Sequence, residues 1–107
     1  MQTLSFHANQ RMNQRGITQR QIEMVLKYGD VRHDYYFLNK RMLNRIIDDC
    51  HKALAKTAAH AEIHVLQQDL KILKQILDKG GLVVVECENT IITCYQYDSH
   101  KTRKNFH

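Results

Sequence analysis

The sequence predicts an α+β fold: an N-terminal helical hairpin, a small antiparallel β-sheet, and a long helical pair, residues 40–79, inserted between the first strand and the later ones. Three observations carry this. Residues 6–28 hold two short helix-period segments, each opened by a capping hydroxyl and closed by a glycine. Between Asn39 and Lys79 there is no proline or glycine, and apolar residues recur every three or four positions. After Gly80-Gly81 two apolar runs flank Glu88-Asn89, the pattern of a terminal hairpin.

Met1 to Leu4 fits a short strand or an unstructured lead-in. Ser5 is placed to cap a first helix over Phe6 to Arg15, because its hydroxyl can take up a free amide of the opening turn. Phe6, Met12 and Ile17 supply its apolar contacts, and Gly16 closes it in the left-handed conformation. Thr18-Gln-Arg-Gln21 reads as a capping box for a second helix ending at Gly29-Asp30, with Ile22, Val25 and Leu26 as its buried stripe. Val31 to Leu38 alternates and reads as one strand. Asn39 then caps a helix whose inner positions are Met42, Leu43, Ile46, Ile47, Cys50 and Leu54. Ala55 to Ala61 is weakly patterned and admits a break. From Ile63 a second stripe runs through Leu66, Leu70, Leu73 and Leu77. Leu82 to Cys87, apolar on both faces until Glu86, has the composition of a central strand. Thr90 to Tyr97 returns beside it, with Ile91, Thr93, Tyr95 and Tyr97 expected on one face.

The chain of 107 residues has the length of one domain, with 43% apolar and 25% charged residues, as in ordinary globular proteins. No apolar run approaches the roughly 18 residues of a membrane span, and the N-terminus lacks an export pattern. Cys50, Cys87 and Cys94 are odd in number and have no framework spacing, so a reduced, cytoplasmic protein is expected. The net charge is +5, and it gathers at the ends. Arg11, Arg15 and Arg20 precede the first acid, Glu23, and the final segment from His100 holds three bases and no acid. This distribution suits a polyanion such as RNA, DNA or an acidic protein, although basic termini also serve solubility alone.

His7, Arg11 and Arg15 stand four residues apart and so share one helix face. With the face of Thr93, Tyr95 and Tyr97 and the tail bases Lys101, Arg103 and Lys104, they could serve metal-free RNA cleavage. That reaction needs proton-transfer groups and fixed cations around a crowded phosphorane. Histidine titrates near pH 6.5, the arginine fork binds two phosphate oxygens, and tyrosine donates a proton or stacks on a base. A solvated helix face accounts for the same spacing without chemistry. His60-Ala-Glu-Ile-His64 could chelate zinc by its spacing, but its glutamate is misplaced for a zincin and no P-C-x-x-C follows for a zinc deaminase. No metal and no cofactor is therefore expected. Cys50-His51 point about 100° apart on a helix and make a poor dyad, while Cys87 and Cys94 read as small core residues. Tyr35, Tyr36 and Phe37 could stack bases, or fill the core.

The ends of the chain resemble a small bacterial domain family of unknown function whose members read H-A-x-x-R-x-x-x-R-G-I and close with V-V-V…I-I-T-x-Y. Here these are His7-Ala8, Arg11, Arg15-Gly16-Ile17, Val83-Val84-Val85 and Ile91-Ile92-Thr93-Cys94-Tyr95. The family is similar to the RelE, BrnT, barnase, EndoU and colicin-type ribonucleases, whose core is two helices followed by an antiparallel sheet. The resemblance spans roughly residues 5–38 and 80–104, and the helical segment 40–79 is longer than the family leads one to expect. It implies a metal-independent endoribonuclease of the bacterial toxin type. His7 and Arg11, with Thr93 and Tyr95 on the last strand, are the site residues that carry over. Arg15 would complete the phosphate clamp, and Lys101, Arg103 and Lys104 would track RNA. RNA and an antitoxin protein are the implied partners, with a second copy of the chain expected to meet the helical pair. The alternative is a non-catalytic nucleic-acid-binding or protein-interaction module.

Overall fold

A computed structural model describes residues 3–96. Their elements run β1 (Thr3–Leu4), α1 (Phe6–Arg15), α2 (Gln19–Tyr28), β2 (Asp30–Arg32), β3 (Tyr35–Asn39), α3 (Lys40–Lys56), α4 (His60–Asp78), β4 (Gly81–Cys87) and β5 (Thr90–Gln96). The α+β class is as the sequence predicts. The caps do as their chemistry suggests: Ser5, Thr18 and Asn39 each accept an amide of the helix they open. Gly16 closes α1 at φ 66°. The capping box of α2 is only half made, because the Gln21 side chain turns away and donates to Gln75 on α4.

The strands form one sheet in the order β1-β5-β4-β3-β2. The central position of β4 suits its composition, and Leu82, Val83 and Val84 are buried. Cross-strand register places Tyr36, Val84 and Cys94 in one row and Leu38 beside Leu82 in the next. These residues face the helices, joining Ala8 and Met12 of α1, Ile22 and Val25 of α2, Leu43 and Cys50 of α3, and Leu70, Leu73 and Ile76 of α4 in one core. Each fully buried Leu, Ile or Val there is worth about 1.5–3 kcal/mol of transfer free energy. The intervening rows, Phe37 with Val83 and Tyr95, and Tyr35 with Val85 and Thr93, lie on the opposite face.

Several expectations are corrected. The sheet is mixed, not antiparallel throughout: Thr3–Leu4 is a strand, and it runs parallel to β5. The single strand over Val31 to Leu38 is a hairpin, β2 and β3, reversed at His33-Asp34 with His33 at φ 60°. Alternation alone could not show this, since a two-residue turn keeps the period. A bulge between the Val85 and Glu86 pairings shifts β5 by one residue, so Ile91 joins the core and leaves the face of Thr93 and Tyr95. Ile92 is the extra residue and is exposed. Phe6, expected to pack inward, is 78% exposed, because Ala8 and Met12 define the inner line of α1 and Phe6 falls opposite. Cys87 is exposed, unlike Cys50 and Cys94, because it ends β4 on the face of Val83 and Val85, opposite the helical core.

The helical pair breaks at Thr57–Ala59 and folds back as a hairpin between β3 and β4. Its stripe turns inward through Leu43, Cys50, Leu70, Leu73 and Ile76, so these residues serve the chain's own core. The α2–β2 junction is tight at Gly29. An added Cβ would come within 2.5 Å of the Val25 carbonyl oxygen and 2.7 Å of that of Phe37. Backbone on both sides leaves nothing to rotate away. Gly29→Ala is expected to destabilise the fold by about 2 kcal/mol, read as a lower urea midpoint with unchanged slope; an unaltered midpoint would contradict the close approach.

Candidate functional site

Helix α1 runs along β5 and is fastened at both ends. Ser5 accepts from the Ala8 amide at 3.0 Å and donates to the Ile92 carbonyl at 3.3 Å, while its own amide bonds Ile91. At the other end Arg15 Nη1 donates to the Cys94 carbonyl at 3.1 Å, and Gln96 Nε2 returns a bond to the Arg15 carbonyl at 3.2 Å. Arg15 is thus a clasp on the last strand, with the rest of its exposed guanidinium facing solvent.

The four-residue spacing brings His7 and Arg11 together. Arg11 Nε donates to His7 Nε2 at 3.3 Å, which assigns the proton of the neutral ring to Nδ1. His7 is exposed and Arg11 half-buried. No residue of α1 is acidic, so nothing on the helix neutralises Arg11 or Arg15. The pair offers an anion a planar fork and, on the adjoining turn, a nitrogen able to take a proton.

Thr93 and Tyr95 lie on the sheet face away from the helical core. Among the described residues no hydrogen bond links either to His7 or Arg11. Burial pushes the Tyr95 hydroxyl up from its ordinary value, and Tyr35 and Asp34 push it further. Tyr95 therefore stays protonated in neutral solution, a donor beside Tyr35 and Asp34. On the same face the Tyr35 and Phe37 rings are 5.9 Å apart and the Arg32 guanidinium stands 5.6 Å from the Phe37 centroid. The aromatic run is therefore divided, with Tyr36 turned to the core side. The expectations for Tyr97, Lys101, Arg103 and Lys104 lie outside the described residues.

A second polar cluster is absent from the sequence reading. Asp69, buried on α4, accepts from Lys27 Nζ at 2.7 Å and from the Tyr28 hydroxyl at 2.6 Å. Its signal was a carboxylate within the apolar line Leu66, Leu70, Leu73. The cluster ties α2 to α4 and floors a cleft walled by Ala53, Ala61, Val65 and Leu66. Burial raises the Tyr28 hydroxyl well above its usual 10.0, reinforced by Asp69. The folded state then holds this proton more tightly than the unfolded chain, so its contribution is complete below pH 10 and declines as pH rises beyond it. Urea midpoints measured across pH 9 to 11 should fall more steeply for the native protein than for Tyr28→Phe; parallel curves would contradict the shift.

The remaining motifs carry less. His60 and His64 are exposed on α4, and Glu62 accepts the Thr57 hydroxyl at 2.8 Å, holding the turn that opens the helix. Among the described residues no group of three His, Cys, Asp or Glu side chains could hold a metal ion. Burial raises the Cys50 and Cys94 thiols, so both are poor nucleophiles at neutral pH. No described helix is long and apolar enough to cross a membrane.

Comparison with known proteins places this geometry in a family. No curated protein and no solved structure matches the chain. Residues 4–96 match the model of DUF4258, a domain of unknown function, running from β1 to the end of β5. The chain belongs to the DUF4258 family.

Proposed function

We propose that the protein is a metal-independent endoribonuclease of the bacterial toxin type, acting on RNA in the cytoplasm. The observation that carries the reading is the 3.3 Å contact of His7 and Arg11 on an exposed helix without an acid. A substrate phosphate draws the Arg11 fork toward itself and releases His7 Nε2. The imidazole then takes the 2′-hydroxyl proton, and the 2′-oxygen attacks phosphorus while the bond to the 5′-oxygen breaks. Arg11, joined by the free edge of Arg15, stabilises the charge that builds on the phosphorane. The leaving oxygen takes its proton from the imidazolium; Thr93 and Tyr95, named by the resemblance, stand on the sheet face away from α1 and take no part in this step. Lys101, Arg103 and Lys104 follow the RNA backbone. An antitoxin protein would cover the basic face, and a second copy would meet the exposed tip of the α3–α4 hairpin near Val65.

A second reading, a non-catalytic nucleic-acid-binding module, is favoured by one observation: Thr93 and Tyr95 share no hydrogen bond with His7 or Arg11 among the described residues. The deciding experiment incubates the purified full chain with total RNA in EDTA, alongside the His7→Ala variant. Degradation by the native protein that the variant lacks supports the ribonuclease. Intact RNA in both lanes, with both proteins folded, supports the binding module.

A further inference from the structure

Beside the His7–Arg11 line, α1 carries a second line with a different chemistry. At about 100° per residue, Phe6, Gln10 and Asn13 fall within a narrow stripe next to His7 and Arg11 and opposite Ala8 and Met12. Phe6 is the most exposed large apolar side chain among the described residues, at 78%. Gln10 and Asn13 are exposed and make no side-chain hydrogen bond to another described residue. An exposed aromatic ring followed by two solvent-facing amides offers one apolar stacking plane and two groups that both donate and accept hydrogen bonds.

We infer that this stripe is a base-binding strip for single-stranded RNA, with Phe6 stacking on a nucleobase and Gln10 and Asn13 hydrogen-bonding base edges. The inference rests on the RNA substrate proposed above and adds the part of it that meets the bases. Charge selects the occupant. The adjoining line presents Arg11 and Arg15 with no acid on the helix, and the chain carries a net charge of +5, so a phosphate backbone lying on that line brings its bases over the stripe. Stacking requires bases that are not already stacked in a duplex, and amides match their exposed edges. Phe6 and Gln10 then determine specificity, while Arg11 supplies the phosphate contact.

Fluorescence anisotropy of the full chain with labelled oligoadenylate, titrated over a range of salt concentrations, separates the two lines. Phe6→Ala is expected to weaken binding roughly 10-fold without changing the slope of log Kd against log salt, and Phe6→Trp to retain native affinity. Arg11→Ala is expected to flatten that slope by about 0.7, one phosphate on a single strand. Native affinity in Phe6→Ala together with a flattened slope in Arg11→Ala would overturn the base strip and leave the RNA reading standing. Absence of binding by the native chain would overturn both. Phe6 packs against little, so loss of fold does not confound its substitution.

Discussion

Replacing His7 by alanine is expected to lower metal-free RNA cleavage by about 10²–10⁴-fold, the usual contribution of a positioned proton-transfer group. The same change should leave the unfolding free energy from urea titration within about 0.5 kcal/mol of native, since an exposed side chain with one surface hydrogen bond contributes little to stability. Arg11 tests the other half of the pair. Arg11→Lys keeps a positive charge but loses the planar fork, so a phosphate held through two nitrogens should be lost with it. Cleavage should then fall by about 10²-fold, in line with removal of one donor from a charge-stabilising site. Full cleavage by His7→Ala and Arg11→Lys would reject the proposed chemistry outright. Native RNA binding with no cleavage by any form would assign the face to recognition alone.

The second large effect concerns the fold. Asp69→Ala should destabilise the protein by about 3 kcal/mol, lowering Tm by roughly 10–20 °C for a domain of this size. The loss is unequally shared. The Lys27 side chain is 48% exposed and can return to water, so its ion pair with the 8%-exposed Asp69 contributes little of it. Tyr28 is more confined, and its hydroxyl would be left without the acceptor it now reaches at 2.6 Å. The combination Asp69→Leu with Tyr28→Phe removes donor and acceptor together and should recover most of the loss, as apolar replacements of buried polar pairs do. An unaltered Tm in Asp69→Ala, or a double variant no better than the single one, would show that the cluster does not hold α2 against α4.

The sequence was most legible where local chemistry decides the outcome. Ser5, Thr18 and Asn39 marked helix starts because a capping side chain bonds amides only two or three residues away. The Glu88-Asn89 reversal was legible because two polar residues, one of them an asparagine that tolerates positive φ, separate two apolar runs; the pair adopts 50° and 66°. The His7–Arg11 contact followed from helical spacing alone. Legibility failed where one residue changes facing. The His33-Asp34 turn divided a seemingly continuous strand, and the bulge at Ile92 moved Ile91 to the core while Thr93 and Tyr95 stayed on the other face. In both places the alternation of side chains looks the same before and after the irregularity.

By itself, then, the sequence determined the α+β class, the two N-terminal helices with their caps, the central strand β4 and the pairing of His7 with Arg11. All of these depend on residues within a few positions of one another, or on the apolar period of a single segment. Only the tertiary structure decided that β1 runs parallel beside β5, that Arg15 grips the Cys94 carbonyl, that Asp69 collects Lys27 and Tyr28, and that Thr93 and Tyr95 lie on the sheet face away from the helical core. The first three join residues more than forty positions apart. Such contacts are selected by the packing of whole elements against one another, and a hydrogen bond or ion pair across them leaves no period in the chain.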